Sequence, residues 1–134
     1  MTRLKRLDHV VVAVRELDET ARAWEHNLGL KAEPVSQPAG SEVRLASLPA
    51  GNAFLQLAQP LTAGHTLAGF IDERGEGMFS LSIEVDDLEA AVAELRGRSV
   101  HVSDPEPGML EGTRVARISR ESAHGVEIHL LQRE

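Results

Sequence analysis

The sequence predicts an α+β domain made of two βαβββ modules. Two observations carry this. The chain repeats itself internally in two separate blocks, and within each copy a strand-like apolar pattern gives way to a helix-like one. The length, 134 residues, allows one core shared by two such copies, while half that length buries too little surface to stand alone.

The first block opens with His9-Val10-Val11-Val12-Ala13-Val14, an apolar strand, then a charged turn. Asp18 to Leu28 follows with Ala21, Trp24 and Leu28 at helical spacing, and Gly29 supplies a stop. Ser80-Leu81-Ser82-Ile83-Glu84-Val85 repeats the strand, and Glu89 to Arg96 repeats the helix before Gly97. Val14 matches Val85 and Leu17 matches Leu88, both at an offset of 71. Asp18 and Asp87 stand where helix N-caps are expected. The second block aligns Ala53-Phe54-Leu55-Gln56-Leu57 with Val126-Glu127-Ile128-His129-Leu130 at an offset of 73. Glu42 to Leu48 and Thr113 to Ile118 precede these as further strands, so each copy reads as strand, helix and about three strands. The copies span about 5–59 and 78–132. The connecting 60–77 carries Leu67, Phe70 and Ile71 at the spacing of a short helix.

Composition removes several function classes. There is no cysteine, which excludes disulfide frameworks, thiolate metal sites and cysteine nucleophiles. A net charge of −7 with no basic face argues against duplex binding, and three Phe and one Trp are too few for base-stacking platforms. No run approaches the roughly 18 apolar residues of a membrane span. The basic start Met1-Thr2-Arg3-Leu4-Lys5-Arg6 leads into no apolar signal core, so a cytoplasmic protein is expected. A small-molecule ligand or substrate is the expected partner, with neither nucleic acid nor membrane.

Several stretches resemble the vicinal oxygen chelate superfamily of glyoxalase I, bleomycin-resistance proteins and extradiol dioxygenases, and within it the methylmalonyl-CoA epimerase branch. They are Leu7 to Val14, Leu28-Gly29-Leu30, Thr66 to Gly77, Ile83 to Ala91 and Asp104-Pro105-Glu106-Pro107. The resemblance implies paired βαβββ modules forming a curved mixed sheet around a pocket, a divalent metal, and a homodimer. Its metal positions fall on His9, Gln56, Ser80 and His129. The internal repeat pairs the same residues, His9 with Ser80 and Gln56 with His129.

Serine replaces the family's second histidine at Ser80, and His129 replaces its last glutamate. His9, Gln56 and His129 then remain as a neutral ligand set, which suits Zn, Ni, Co or Fe better than a hard ion. Each also has a plainer reading as a polar group hydrogen-bonded to neighbours or water. Gln56 and His129 alternate with apolar residues, so each projects away from the leucines beside it.

The resemblance further implies proton transfer α to a carbonyl, through an enolate. The family's glutamate base falls near Gly40-Ser41, with Glu42 adjacent. His129, oriented by Glu127 two residues earlier, is a substitute base. Ser80 and Glu84 are expected to line the pocket, and His26, His65, His101 and His124 to lie at the surface. The expected function is an isomerase or lyase acting on a small carbonyl or carboxylate substrate, possibly a thioester. The alternative is a metal-free binding protein of the bleomycin-resistance kind. A dioxygenase is weaker, because that chemistry wants two His and a carboxylate around iron.

Overall fold

A computed structural model describes residues 4–134, so the first half of the basic N-terminal stretch lies outside it. The chain divides into two compact units. The first module is 9–79, and the second is 80–134 together with the segment ending at Asp8.

In the first module β1 (Leu4–Ala13) runs into α1 (Leu17–Leu28), followed by β2 (Val43–Ala50), β3 (Ala53–Pro60) and α2 (Thr66–Arg74). β3 lies between the other two strands, parallel to β1 and antiparallel to β2. In the second, β4 (Gly77–Val85) leads to α3 (Leu88–Gly97), β5 (Glu106–Pro107), β6 (Thr113–Ile118) and β7 (Glu127–Arg133). Here β7 takes the central place, parallel to β4 and antiparallel to β6.

The register reproduces the sequence repeat. His9 lies opposite Phe54 and Val11 opposite Gln56; Ser80 lies opposite Glu127 and Ser82 opposite His129. Those pairs are related by the offsets of 71 and 73 read from the sequence. The third strand of each copy is reduced. It survives as a single Ser36–Leu45 bridge in the first module and as the two-residue β5 in the second.

Strand alternation gives each module an apolar face for its helix. Leu17 and Ala21 of α1 pack with Val14, Ala46, Leu48 and Leu57. Leu88, Ala91 and Val92 of α3 pack with Val85, Ala116 and Leu130. Both helices begin on the same device. The Leu17 N–H donates to Gln59 Oε1 at 3.0 Å, and the Leu88 N–H to Gln132 Oε1 at 2.7 Å. Each glutamine closes the last strand of its module and satisfies an otherwise orphaned first-turn donor.

The N-caps need one correction. Asp87 caps α3, accepting from Ala90 N. Its repeat partner is Glu16, which occupies the cap of α1 without a side-chain bond. Asp18 lies inside the first turn, paired with Arg44 across 3.2 Å. α1 ends as expected at Gly29, whose φ of 71° is left-handed. Among the described residues no helix is long and apolar enough to cross a membrane.

Candidate functional site

The candidate residues lie on the sheet face turned away from α1 in one module and from α3 in the other. In the first module this face carries His9 beside Phe54, then Val11, Gln56 and Ser47 in the next row, then Ala13, Ala58 and Leu45. Helix α2 packs Leu67 and Ile71 on the Ala13 end. His9 and Gln56 lie toward the other end and are both buried. The His9 ring stacks on Phe54 with centroids 4.6 Å apart. Gln56 Nε2 is buried with no hydrogen-bond partner. An unmet buried donor costs about 1–3 kcal/mol, which makes this amide a candidate contact.

The second module places Ser80 beside Glu127 and Ser82 beside His129; His129 in turn pairs with Arg117 on β6. Ser80 Oγ, like the Gln56 amide, is buried without a partner. His129 Nε2 and Glu127 Oε2 are 2.8 Å apart. Arg120, from a 3-10 turn spanning Arg120–Ala123, holds the other Glu127 oxygen at 3.1 Å. Burial opposes the charge on Glu127, but the bond and charge of His129, with the Arg120 guanidinium, outweigh it and leave the carboxyl below its usual range. An ionised carboxylate only accepts hydrogen bonds. The proton of a neutral His129 therefore sits on Nε2, and Nδ1 is its basic atom.

The remaining candidates fall elsewhere. Glu84 shares the face of Ser80 and Ser82 and is buried, but its carboxylate is occupied by Arg6 at 2.9 Å and Lys5 at 3.9 Å. Glu42 is exposed and accepts from Thr62 Oγ1 at 2.9 Å, which fixes the loop after β3. His26, His101 and His124 are exposed as expected, while half-buried His65 caps α2 by accepting from Leu67 N.

Sequence reasoning missed the ionic cluster beside Glu84. Asp8 is fully buried. It receives both oxygens' worth of bonds from Arg133 Nη2 at 2.9 Å, and a further bond from Arg6 at 2.9 Å. The one available signal was a carboxylate at the edge of an apolar run; nothing pointed to a partner 125 positions away.

A family profile described as the Glyoxalase/Bleomycin resistance protein/Dioxygenase superfamily matches residues 8–116. The chain belongs to this superfamily. Within it the chain is methylmalonyl-CoA epimerase-like, with distant relatives. It is 34% identical over 106 residues to the mitochondrial methylmalonyl-CoA epimerase of Bos taurus, covering 77% of this chain and 59% of that protein. The chain thus spans about three fifths of the length of this curated relative. The crystal structure of methylmalonyl-CoA epimerase from Mycobacterium tuberculosis superposes with a TM-score of 0.88 at 30% identity, covering 98% of this chain and 89% of the other. A Streptomyces coelicolor methylmalonyl-CoA epimerase variant in complex with 2-nitronate-propionyl-CoA gives 0.88 at 26% identity, over 98% and 96% of the two chains. These likenesses bear out the glyoxalase-like α+β fold and the epimerase-like isomerase frame.

On the metal, the donor chemistry is divided. Among the described residues no group of three or more His, Asp or Glu side chains is arranged to hold an ion. His9 and the amide of Gln56 share a sheet face in the first module and suit a borderline ion. In the second module Ser80 offers a hydroxyl, a weak ligand at neutral pH, and His129 has one ring nitrogen already engaged by Glu127. His129 therefore has a single nitrogen for two expected roles, ligand and base, and the roles exclude each other.

Proposed function

We propose that the chain is an isomerase of the epimerase-like kind, moving a proton at the carbon α to the carbonyl of an acyl thioester. The observation that carries this reading is the 2.8 Å contact between His129 and the ionised Glu127. It fixes the imidazole tautomer and leaves Nδ1 as the atom that takes a proton. In the step, the α C–H bond breaks, the proton passes to Nδ1, and the electron pair moves onto the carbonyl oxygen as an enolate. The buried hydroxyl of Ser80, in the same module as the dyad, is assigned to a substrate oxygen, where it gains the partner it now lacks. Protonation of the opposite face of the enolate by water, with the imidazolium releasing its proton to neutralise the hydroxide left behind, inverts the centre. The acyl-thioester substrate class rests on the acyl-CoA analogue bound by the Streptomyces epimerase.

With His129 assigned to proton transfer, His9 and Gln56 alone do not make a tight metal site. No step here is routed through an ion. Zn, Ni, Co or Fe bound through His129 would instead polarise the carbonyl, and His129 would then not be the base. Glu42, exposed and bound to Thr62, has no part in the proposed step.

The test is deuterium incorporation from D2O into methylmalonyl-CoA, followed by mass spectrometry. The expected result is exchange well above the uncatalysed rate, reduced about 100-fold or more in His129→Gln and about 10-fold in Glu127→Gln. Stoichiometric metal in the purified protein, lost together with exchange in His9→Ala, would overturn the base assignment. Binding of the thioester without any exchange would favour the binding-protein alternative, for which the replacements at Ser80 and His129 already speak.

A further inference from the structure

The second module contains an open cavity of about 500 Å³ that shares Arg120 and Glu127 with the dyad and extends away from it to Arg96 and the Val100–Ser103 segment. Arg96, Arg117 and Arg120 line it, against one carboxylate, Glu127. Each of these arginines is paired with a carboxylate, Arg96 with Asp104, Arg117 with Glu106 and Arg120 with Glu127, so an anion binds here by competing for a guanidinium. Arg117 lies opposite His129 on the neighbouring strand, so the cavity adjoins the dyad through Arg117 and Glu127.

The three arginines are not equally available. Arg120 is largely shielded and fixed on Glu127. Arg117 pairs with Glu106 and Arg96 with Asp104, and in both pairs the side chains are about half exposed or more. Exposed pairs of this kind are worth roughly 0–1 kcal/mol, so a dianion that meets both guanidiniums can displace them. Arg96 is also anchored, because its Nη2 donates to the Val102 carbonyl at 2.9 Å.

The walls are well fixed. Ser103 N donates to Arg117 O at 2.9 Å, and Arg117 N donates to Ser103 Oγ at 2.8 Å. Val100, Val102 and Ile118 give the cavity an apolar side. A guanidinium pair beside an apolar wall matches a phosphate carried on an organic body.

We propose that this cavity is a second binding site, for a phosphate-bearing ligand gripped by Arg96 and Arg117. Two sources share that chemistry: the phosphorylated tail of the thioester substrate, and a separate small organic phosphate. Isothermal titration of the full chain with inorganic phosphate and with coenzyme A tests the site without any turnover. A failure of the isomerase reading would therefore leave this result intact.

Saturable binding of both probes is expected, weakened at least tenfold in Arg96→Gln and in Arg117→Gln. Arg22→Gln, on the exposed surface of α1, controls for the loss of one positive charge and should bind as the parent does. Steady-state kinetics then separate the sources. If the variants raise KM for methylmalonyl-CoA but not for the phosphate-free methylmalonyl-pantetheine, with kcat unchanged, the tail is the ligand. If KM is unchanged for both while phosphate binding is lost, the ligand is a separate phosphate. Absence of phosphate binding at millimolar concentration, or equal binding by the parent and both arginine variants, overturns the proposal.

Discussion

The same rows of the sheet are closed by opposite chemistry in the two modules. In the first, Ala13, Ala58, Leu45 and Val43 meet Leu67 and Ile71 of α2, an apolar lid. The corresponding rows of the second hold Glu84, Leu131, Val115, Thr113 and Arg133. Arg6 meets Glu84, and Arg133 meets Asp8. A duplicated framework has thus kept its register and its helix-facing core while one copy exchanged apolar burial for ion pairing. The two solutions respond differently to solvent. Apolar contact is indifferent to ionic strength, whereas an ionic cluster with partly exposed arginines is weakened by salt and depends on every member being present.

Removing one member of each lid should break the symmetry most visibly. Asp8→Ala strands Arg133 and Arg6 beside a buried position and is expected to cost about 4 kcal/mol in urea unfolding. Leu67→Ala leaves a cavity under α2 and is expected to cost about 3 kcal/mol. The distinguishing measurement is salt dependence. Between low salt and 0.5 M sodium chloride the parent and Leu67→Ala should lose stability in parallel, whereas Asp8→Ala should lose less, its ionic lid being already broken. Equal salt responses in all three would show that the ion pairs contribute nothing specific.

The shared features should behave alike in both modules. Gln59→Ala and Gln132→Ala each remove one helix-capping acceptor, and about 1 kcal/mol is expected for either. A difference beyond twofold between them would mean that the modules are less equivalent than their registers. Smaller still, Asp18→Ala should cost under about 0.5 kcal/mol, since it loses only an exposed pair with Arg44. Asp87→Ala should exceed it, because Asp87 holds the true cap.

Acid sensitivity gives the smallest effect. A carboxyl held below its usual range stabilises the fold at neutral pH, and that contribution is lost as the pH falls through the folded value. Glu127→Gln should therefore flatten the acid limb of a stability–pH curve without shifting its neutral plateau relative to alkaline pH.

The repeat made much of this fold legible. Two offsets, 71 and 73, fixed which residues hold equivalent positions in the two copies, and so matched His9 with Ser80 and Gln56 with His129. Strand alternation put Glu127 and His129 on one face, and the structure bonds them. What escaped the sequence was whatever the repeat does not contain. Asp8 and Arg133 are partners 125 positions apart, while their counterparts in the other copy, Phe79 and Pro60, carry no charge. Asp18 looked like the cap because aspartate favours that position, yet the repeat itself pointed to Glu16, aligned with Asp87. Glu84 had the right parity for the site, but parity says nothing of a competing arginine.

The two glutamine caps also bear on how the chain is made. Leu17 waits for an acceptor 42 residues later, and Leu88 for one 44 residues later. During synthesis each helix therefore leaves the ribosome with its first turn open, and is completed only when the closing strand of its own module arrives. The amide protons of Leu17 and Leu88 should then gain protection with the sheet rather than with their helices. In pulse-labelled refolding, those two positions would act as clocks that mark the moment each module shuts.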